Sequence, residues 1–141
     1  MVSQSNSPEL LSDRLRRGDV LASACPSRAV LRHLTSQWGV LVLIVLEEGT
    51  FRFAQLRRRI DGVSERMLAQ TLKALEGDGL VRRVSFDTVP PHVEYSLTDL
   101  GAGAARRVKD LADWVEESLP AIVRAQDEAR RGGGAGRGAP G

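Results

Sequence analysis

"FAQLRRRIDGVSERMLAQTLKALEGDGLVRR", residues 53–83, decides how this chain is read. It holds two short leucine-spaced segments with a turn between them. Counting Arg52 just ahead of it, eight cations (Arg52, Arg57, Arg58, Arg59, Arg66, Lys73, Arg82, Arg83) meet four acids (Asp61, Glu65, Glu76, Asp78), a local charge of +4. The whole 141-residue chain carries only +2. Positive charge is therefore gathered around one turn of a nearly neutral protein, and its placement says more about partners than its total.

Phe53, Leu56 and Ile60 stand at i, i+3 and i+7 and predict a short helix over Phe53–Arg59. "DGV" is the turn. Ser64 is placed to cap a second helix from Glu65 to Glu76, stopped by Gly77 or Gly79. At about 100° per residue, Leu68, Leu72 and Leu75 lie within about 60° of one another and face the core. Arg66, Gln70 and Lys73 fall about 140–200° away, on the opposite face.

Upstream, Pro26 suits a first helical turn, and Ala29, Val30 and Leu34 make a stripe through about Ser36. Trp38–Glu48 reads as a core helix closed by Gly49. Its apolar run "WGVLVLIVL" has nine residues, whereas a spanning helix needs about 20, so no membrane partner is expected. Downstream the period changes to two. Val84 and Phe86, then Val93, Tyr95 and Leu97, alternate on either side of "TVPP" and predict a β-hairpin with a proline-stiffened tip. Thr98 caps a long final helix in which Leu100, Ala104, Val108, Leu111, Val115 and Leu119 keep helical spacing. Pro120 is expected to end or kink it. "AIVRAQDEARR" reads as a further helical segment, and "RRGGGAGRGAPG" as a flexible tail. No internal repeat is visible.

Helix, turn, capped helix and hairpin in that order make a winged helix-turn-helix, mainly α with a small β-hairpin. In such folds the second helix of the pair enters the DNA major groove. Arginine there suits guanine and glutamine suits adenine, which assigns base reading to Arg66 and Gln70, with Lys73 in reach of bases or phosphates. Ser64, Glu65 and Met67 stand at the leading end, where backbone N–H groups can meet a phosphate. Arg52, one or two of Arg57, Arg58 and Arg59 (Arg58 the chosen candidate), and one of Arg82 and Arg83 (Arg83 the candidate) are assigned to the phosphate backbone. His92 at the wing tip is a candidate for a neighbouring groove. Such contacts position the protein, and base contacts give specificity. The charge cluster is the sequence-independent phosphate term laid around the helix that reads bases.

One cysteine, Cys25, excludes an internal disulfide and a multi-cysteine metal site, and His33 and His92 are far apart, so no metal or cofactor is expected. Cysteine usage and a start, "MVSQSNSPELL", without a basic-then-apolar leader predict a cytoplasmic protein. Cys25 precedes Pro26 at a helix start with Arg28 close behind, a setting that favours thiolate and makes it a candidate redox or electrophile sensor. The bland alternative is a small residue packing an interface.

"CPSRAVLRHLTSQWGVLVLIVLEEGTFRFAQLRRRIDGVSERMLAQTLKALEGDGLVRR…VPPHVEYSLTDLG" resembles the HxlR-type winged helix-turn-helix transcription regulators of bacteria. The similarity covers Cys25 to about Trp114. It implies homodimers on pseudo-palindromic promoter DNA, dimer contacts from the N- and C-terminal helices, and a reading helix carrying Ser64, Arg66, Met67, Gln70, Thr71 and Lys73. Some regulators it resembles sense oxidants or electrophiles with a cysteine at the position of Cys25. Gln37 stands where the family usually has a lysine, so that phosphate contact is not carried over. The segments before Cys25 and beyond Trp114 are longer than is typical.

The expected organisation is an N-terminal arm over 1–24, the winged domain with its dimerisation helix over 25–119, and a helical extension with a Gly-rich tail over 120–141. The apolar stripe of the final helix exceeds what one small winged domain can cover, so a twin chain is its expected partner. Two alternatives stay open: a winged helix used as a protein-interaction module, and a regulator with a ligand pocket at the dimer interface near Trp38 that answers to a small molecule or oxidant. No paired carboxylates, activated nucleophile or phosphate-cradling glycine loop points to an enzyme.

Overall fold

Ser36 separates two helices that the chain places at 71° to each other, Pro26–Thr35 (α1) and Gln37–Leu46 (α2). Its Oγ accepts from the Gly39 N–H at 3.1 Å and opens α2. A Cβ on Gly39 would lie 2.1 Å from the His33 carbonyl oxygen, so the sharp corner requires glycine there. The computed structural model describes residues 19–137. The arm expected over 1–24 falls mostly outside the described residues; its last part forms a short 3-10 turn, Asp19–Leu21.

The helix-turn-helix follows as Phe53–Arg59 (α3) and Glu65–Gly77 (α4). The hairpin strands are Val81–Phe86 (β2) and His92–Leu97 (β3), joined through a cis Val89–Pro90 bond. Each matches its sequence expectation to within a residue or two. A third strand, Phe51–Arg52 (β1), was not expected. It pairs antiparallel with β3, Phe51 opposite Tyr95 and Arg52 opposite Glu94, giving the order β1-β3-β2. Two residues carry no readable alternation, and their partners lie more than forty positions on.

The core gathers apolar side chains from every layer. Val42 and Leu43 of α2, Leu56 of α3, and Leu68, Leu72 and Leu75 of α4 are its largest fully buried members. Trp38 is half-buried and packs against this cluster. Burying each such side chain contributes roughly 1.5–3 kcal/mol.

Thr98 ties the end of the wing to the start of the last helix, Asp99–Arg137 (α5). Its hydroxyl donates to the Gly79 carbonyl at 2.6 Å and accepts from the Gly101 N–H at 3.0 Å. A Cβ on Gly101 would lie 1.8 Å from the Leu80 carbonyl oxygen, so glycine lets the helix touch that backbone. The chain divides into two compact units, residues 1–108 and 109–141. Ala105 and Val108 belong to the core of the first. In the second, Leu111, Trp114, Val115, Leu119 and Val123 are exposed.

Pro120 was expected to end or kink this helix, and it does not end it: helical structure continues through the further segment expected there to Arg137, into the glycine-rich stretch read as tail. Proline removes one intrahelical hydrogen bond, to the carbonyl of residue 116, and both residues are exposed, so water can replace it. Extension then needs no new nucleus.

Candidate nucleic-acid interface

Ser64 performs the capping role that its position implied: its Oγ accepts from the Met67 N–H at 3.0 Å. The turn before it buries Ile60 and Val63 and bends at Gly62, whose φ of +89° favours glycine. With both ends of the turn anchored, α4 has a fixed rotation about its own axis. Its three leucines point into the core while Arg66, Met67, Gln70 and Lys73 are exposed and Thr71 is half-buried. Thr71 Oγ1 donates to the Met67 carbonyl at 2.7 Å, so its hydroxyl is engaged by the helix itself.

Of the eight cations around the turn, two are in ion pairs: Arg57 with Glu65 at 3.5 Å and Arg59 with Glu48 at 2.6 Å. Arg52, Arg58, Arg66, Lys73, Arg82 and Arg83 have no ion pair among the described residues. That outcome separates the three consecutive arginines of α3 and leaves Arg58 as the one with an uncommitted charge. Arg52 lies in β1 rather than in a loop, and its N–H donates to Gln55 Oε1 at 2.7 Å, which fixes the start of α3. Arg83 shares a hollow with Ala69, Lys73 and Tyr95 beside α4. The wing and α4 thus bring two cations together that lie ten positions apart in sequence.

His92 borders the wing tip, in the last strand pair before it. It opens β3 opposite Phe86, stacks on that ring at a centroid distance of 4.8 Å, and its Nε2 is 3.1 Å from Glu94 Oε2. The wing itself holds this imidazole. The exposed tip next to it is Asp87–Pro91.

Cys25 is the N-cap residue of α1 and is buried, with Sγ 2.7 Å from Ser27 Oγ. Arg28, read as a neighbouring cation, donates from Nη1 to the Leu21 carbonyl at 3.1 Å. Sequence reasoning missed a second link from α1. His33 Nδ1 lies 2.6 Å from Asp78 Oδ2, joining α1 to the residue that closes α4. No spacing rule pairs residues 45 positions apart, so only the fold reveals it. Among the described residues no group of His, Cys, Asp and Glu side chains gathers as a metal site, and no single helix is long and apolar enough to cross a membrane.

Known proteins resemble this chain in sequence and in fold. The model of the HxlR-like helix-turn-helix family matches residues 33–123. The uncharacterized HTH-type transcriptional regulator YtfH of Escherichia coli strain K12 is 56% identical over 118 residues, covering 84% of this chain and 94% of that protein. The solved structure of ytfH from Salmonella typhimurium is 55% identical with a TM-score of 0.75, covering 79% of this chain and 99% of that one. The redox regulator HypR in its reduced form is 31% identical with a TM-score of 0.64, covering 70% of this chain and 98% of that one. The family consists of transcription regulators rather than enzymes. With its winged architecture and its outward polar face on α4, this chain belongs to the HxlR-like helix-turn-helix family of DNA-binding transcription regulators.

Proposed function

We propose that the chain acts in the cytoplasm as a homodimer reading pseudo-palindromic promoter DNA, one copy of α4 in each half-site. The observation that carries this reading is the division of α4. Its leucines are fully committed to the core, while Arg66, Gln70 and Lys73 are exposed and neither cation has an ion pair among the described residues. Arg66 and Gln70 read base edges; Ser64, Met67, Thr71 and Lys73 line the groove beside them. Arg52, Arg58 and Arg83 bind phosphates and set the register. The exposed apolar positions from Leu111 to Val123 supply the surface for the twin chain.

Genomic footprinting with the protein and with Arg66→Ala and Gln70→Ala tests the reading. Each substitution is expected to erase discrimination at its own base pair, about 1–3 kcal/mol, while weak non-specific binding persists. Unaltered base preference in both variants would refute it. Arg52→Ala is expected to weaken binding to all sequences alike.

A second reading concerns Cys25, and its support is the position of the thiol together with the likeness to a redox regulator. The thiol is buried where α1 begins, so a bulky adduct must displace the first turn of α1. With a single cysteine in the chain, oxidation by diamide joins two chains, or one chain and a small thiol, each thiol losing one proton and one electron to the diamide. Operator affinity is expected to respond to diamide in the parent protein and not in Cys25→Ser. Equal responses in the two would remove this role.

A further inference from the structure

The reading helix α4 has two flanks, and each is lined by an arginine without an ion pair among the described residues. On the wing side that residue is Arg83, in the hollow it shares with Ala69, Lys73 and Glu76. On the other side α1 contributes Arg32, in a hollow shared with Met67, Gln70, Thr71 and Ala74. At about 100° per residue these two sets of α4 positions are centred roughly 140° apart, with Arg66 between them. Arg32 lies outside the charge cluster of residues 52–83, which is why the sequence pattern does not mark it.

A major groove is about 12 Å wide, and a helix with its side chains is about 10–12 Å across. A helix seated there nearly fills the groove, so its two flanks face the phosphate walls of the two strands. A cation on one flank alone would draw the helix toward one wall. We propose that Arg32 binds a backbone phosphate on the wall opposite the one served by Arg83, so that α1 and the wing together centre α4 in the groove. The inference rests on the reading of α4 as the groove helix.

Two features fit Arg32 for this task. Its neighbour His33 is linked to Asp78 at 2.6 Å, which holds the last turn of α1 against the far end of α4. The hollow that Arg32 lines on this flank includes no carboxylate among its lining residues. Arg32 is itself exposed, so its charge is available without any rearrangement of the core.

The test measures fluorescence anisotropy on a labelled duplex of random sequence over a range of salt concentrations. The parent protein is compared with Arg32→Ala, Arg32→Gln and Arg32→Lys. Loss of one phosphate contact per protomer is expected to flatten the slope of log K against log salt by about 0.9 for each engaged protomer. Arg32→Lys is expected to keep most of the slope, and base preference on genomic fragments is expected to stay the same. An unchanged slope in both Arg32→Ala and Arg32→Gln, or dissociation of the dimer by sedimentation in place of a slope change, would overturn the proposal. Arg66→Ala run in parallel separates the two levels. If it leaves base preference intact, the groove assignment of α4 fails; if it erases preference while the Arg32 variants keep the parent slope, only the Arg32 contact fails.

Discussion

Leu68, Leu72 and Leu75 of α4, and Leu111, Val115 and Leu119 of α5, are written in the same helical spacing. Their fates are opposite. The first three are 0–2% exposed, the last three 41–55%. Periodicity makes an apolar face on a helix; it does not say what covers that face. In α4 the cover comes from α1, α2 and β2 of the same chain. From Leu111 to Val123 an apolar stripe that includes Trp114 is exposed, the surface proposed above for the twin chain. The contrast separates the positions that hold the fold from those we assign to assembly.

Substitutions can break this contrast or sharpen it. The largest effect is expected for Leu72→Ala, which empties a fully packed site and should destabilise the chain by about 2–5 kcal/mol, measured as a lower urea midpoint. Trp114→Glu should leave unfolding of the winged unit nearly unchanged, yet weaken self-association tenfold or more, about 1.4 kcal/mol. Sedimentation velocity across a dilution series reads that out. A Trp114→Glu variant that stays dimeric while losing as much stability as Leu72→Ala would erase the distinction. Ser64→Ala removes the cap on α4 and should cost about 1 kcal/mol, visible as a lower thermal midpoint. The smallest effect is expected at the exposed Lys109–Asp113 pair, 2.9 Å apart. Lys109→Ala should change stability by no more than about 0.5 kcal/mol.

Most of the winged domain was legible because its signals are local. Ser64 and Thr98 stand where their hydroxyls meet backbone N–H groups three residues on, and both caps form. The alternation in Val93, Tyr95 and Leu97 marks β3, and the leucine spacing marks the inner face of α4. What escaped the sequence depends on distance along the chain. The strand Phe51–Arg52 exists only because Tyr95 and Glu94 pair with it. The His33–Asp78 link and the position of Arg32 beside Gln70 require α1 to lie along α4, which no residue of α1 announces. The stacking of His92 on Phe86 escaped the sequence too, because it depends on the hairpin register that sets the two rings opposite each other. Pro120 reads locally as a stop or a kink, and its exposed surroundings are what let the helix run past it.

The outward face of α4 has a consequence for how such a protein can diversify. Arg66, Gln70 and Lys73 take no part in the buried cluster, and Arg66 and Lys73 are tied to no acid among the described residues. Exchanging them leaves the packing as it is, so on the base-reading role proposed above the address such a regulator answers to can be rewritten by a few replacements on an unaltered frame. Duplicated copies of such a gene could therefore drift toward separate promoters without first passing through a poorly folded ancestor.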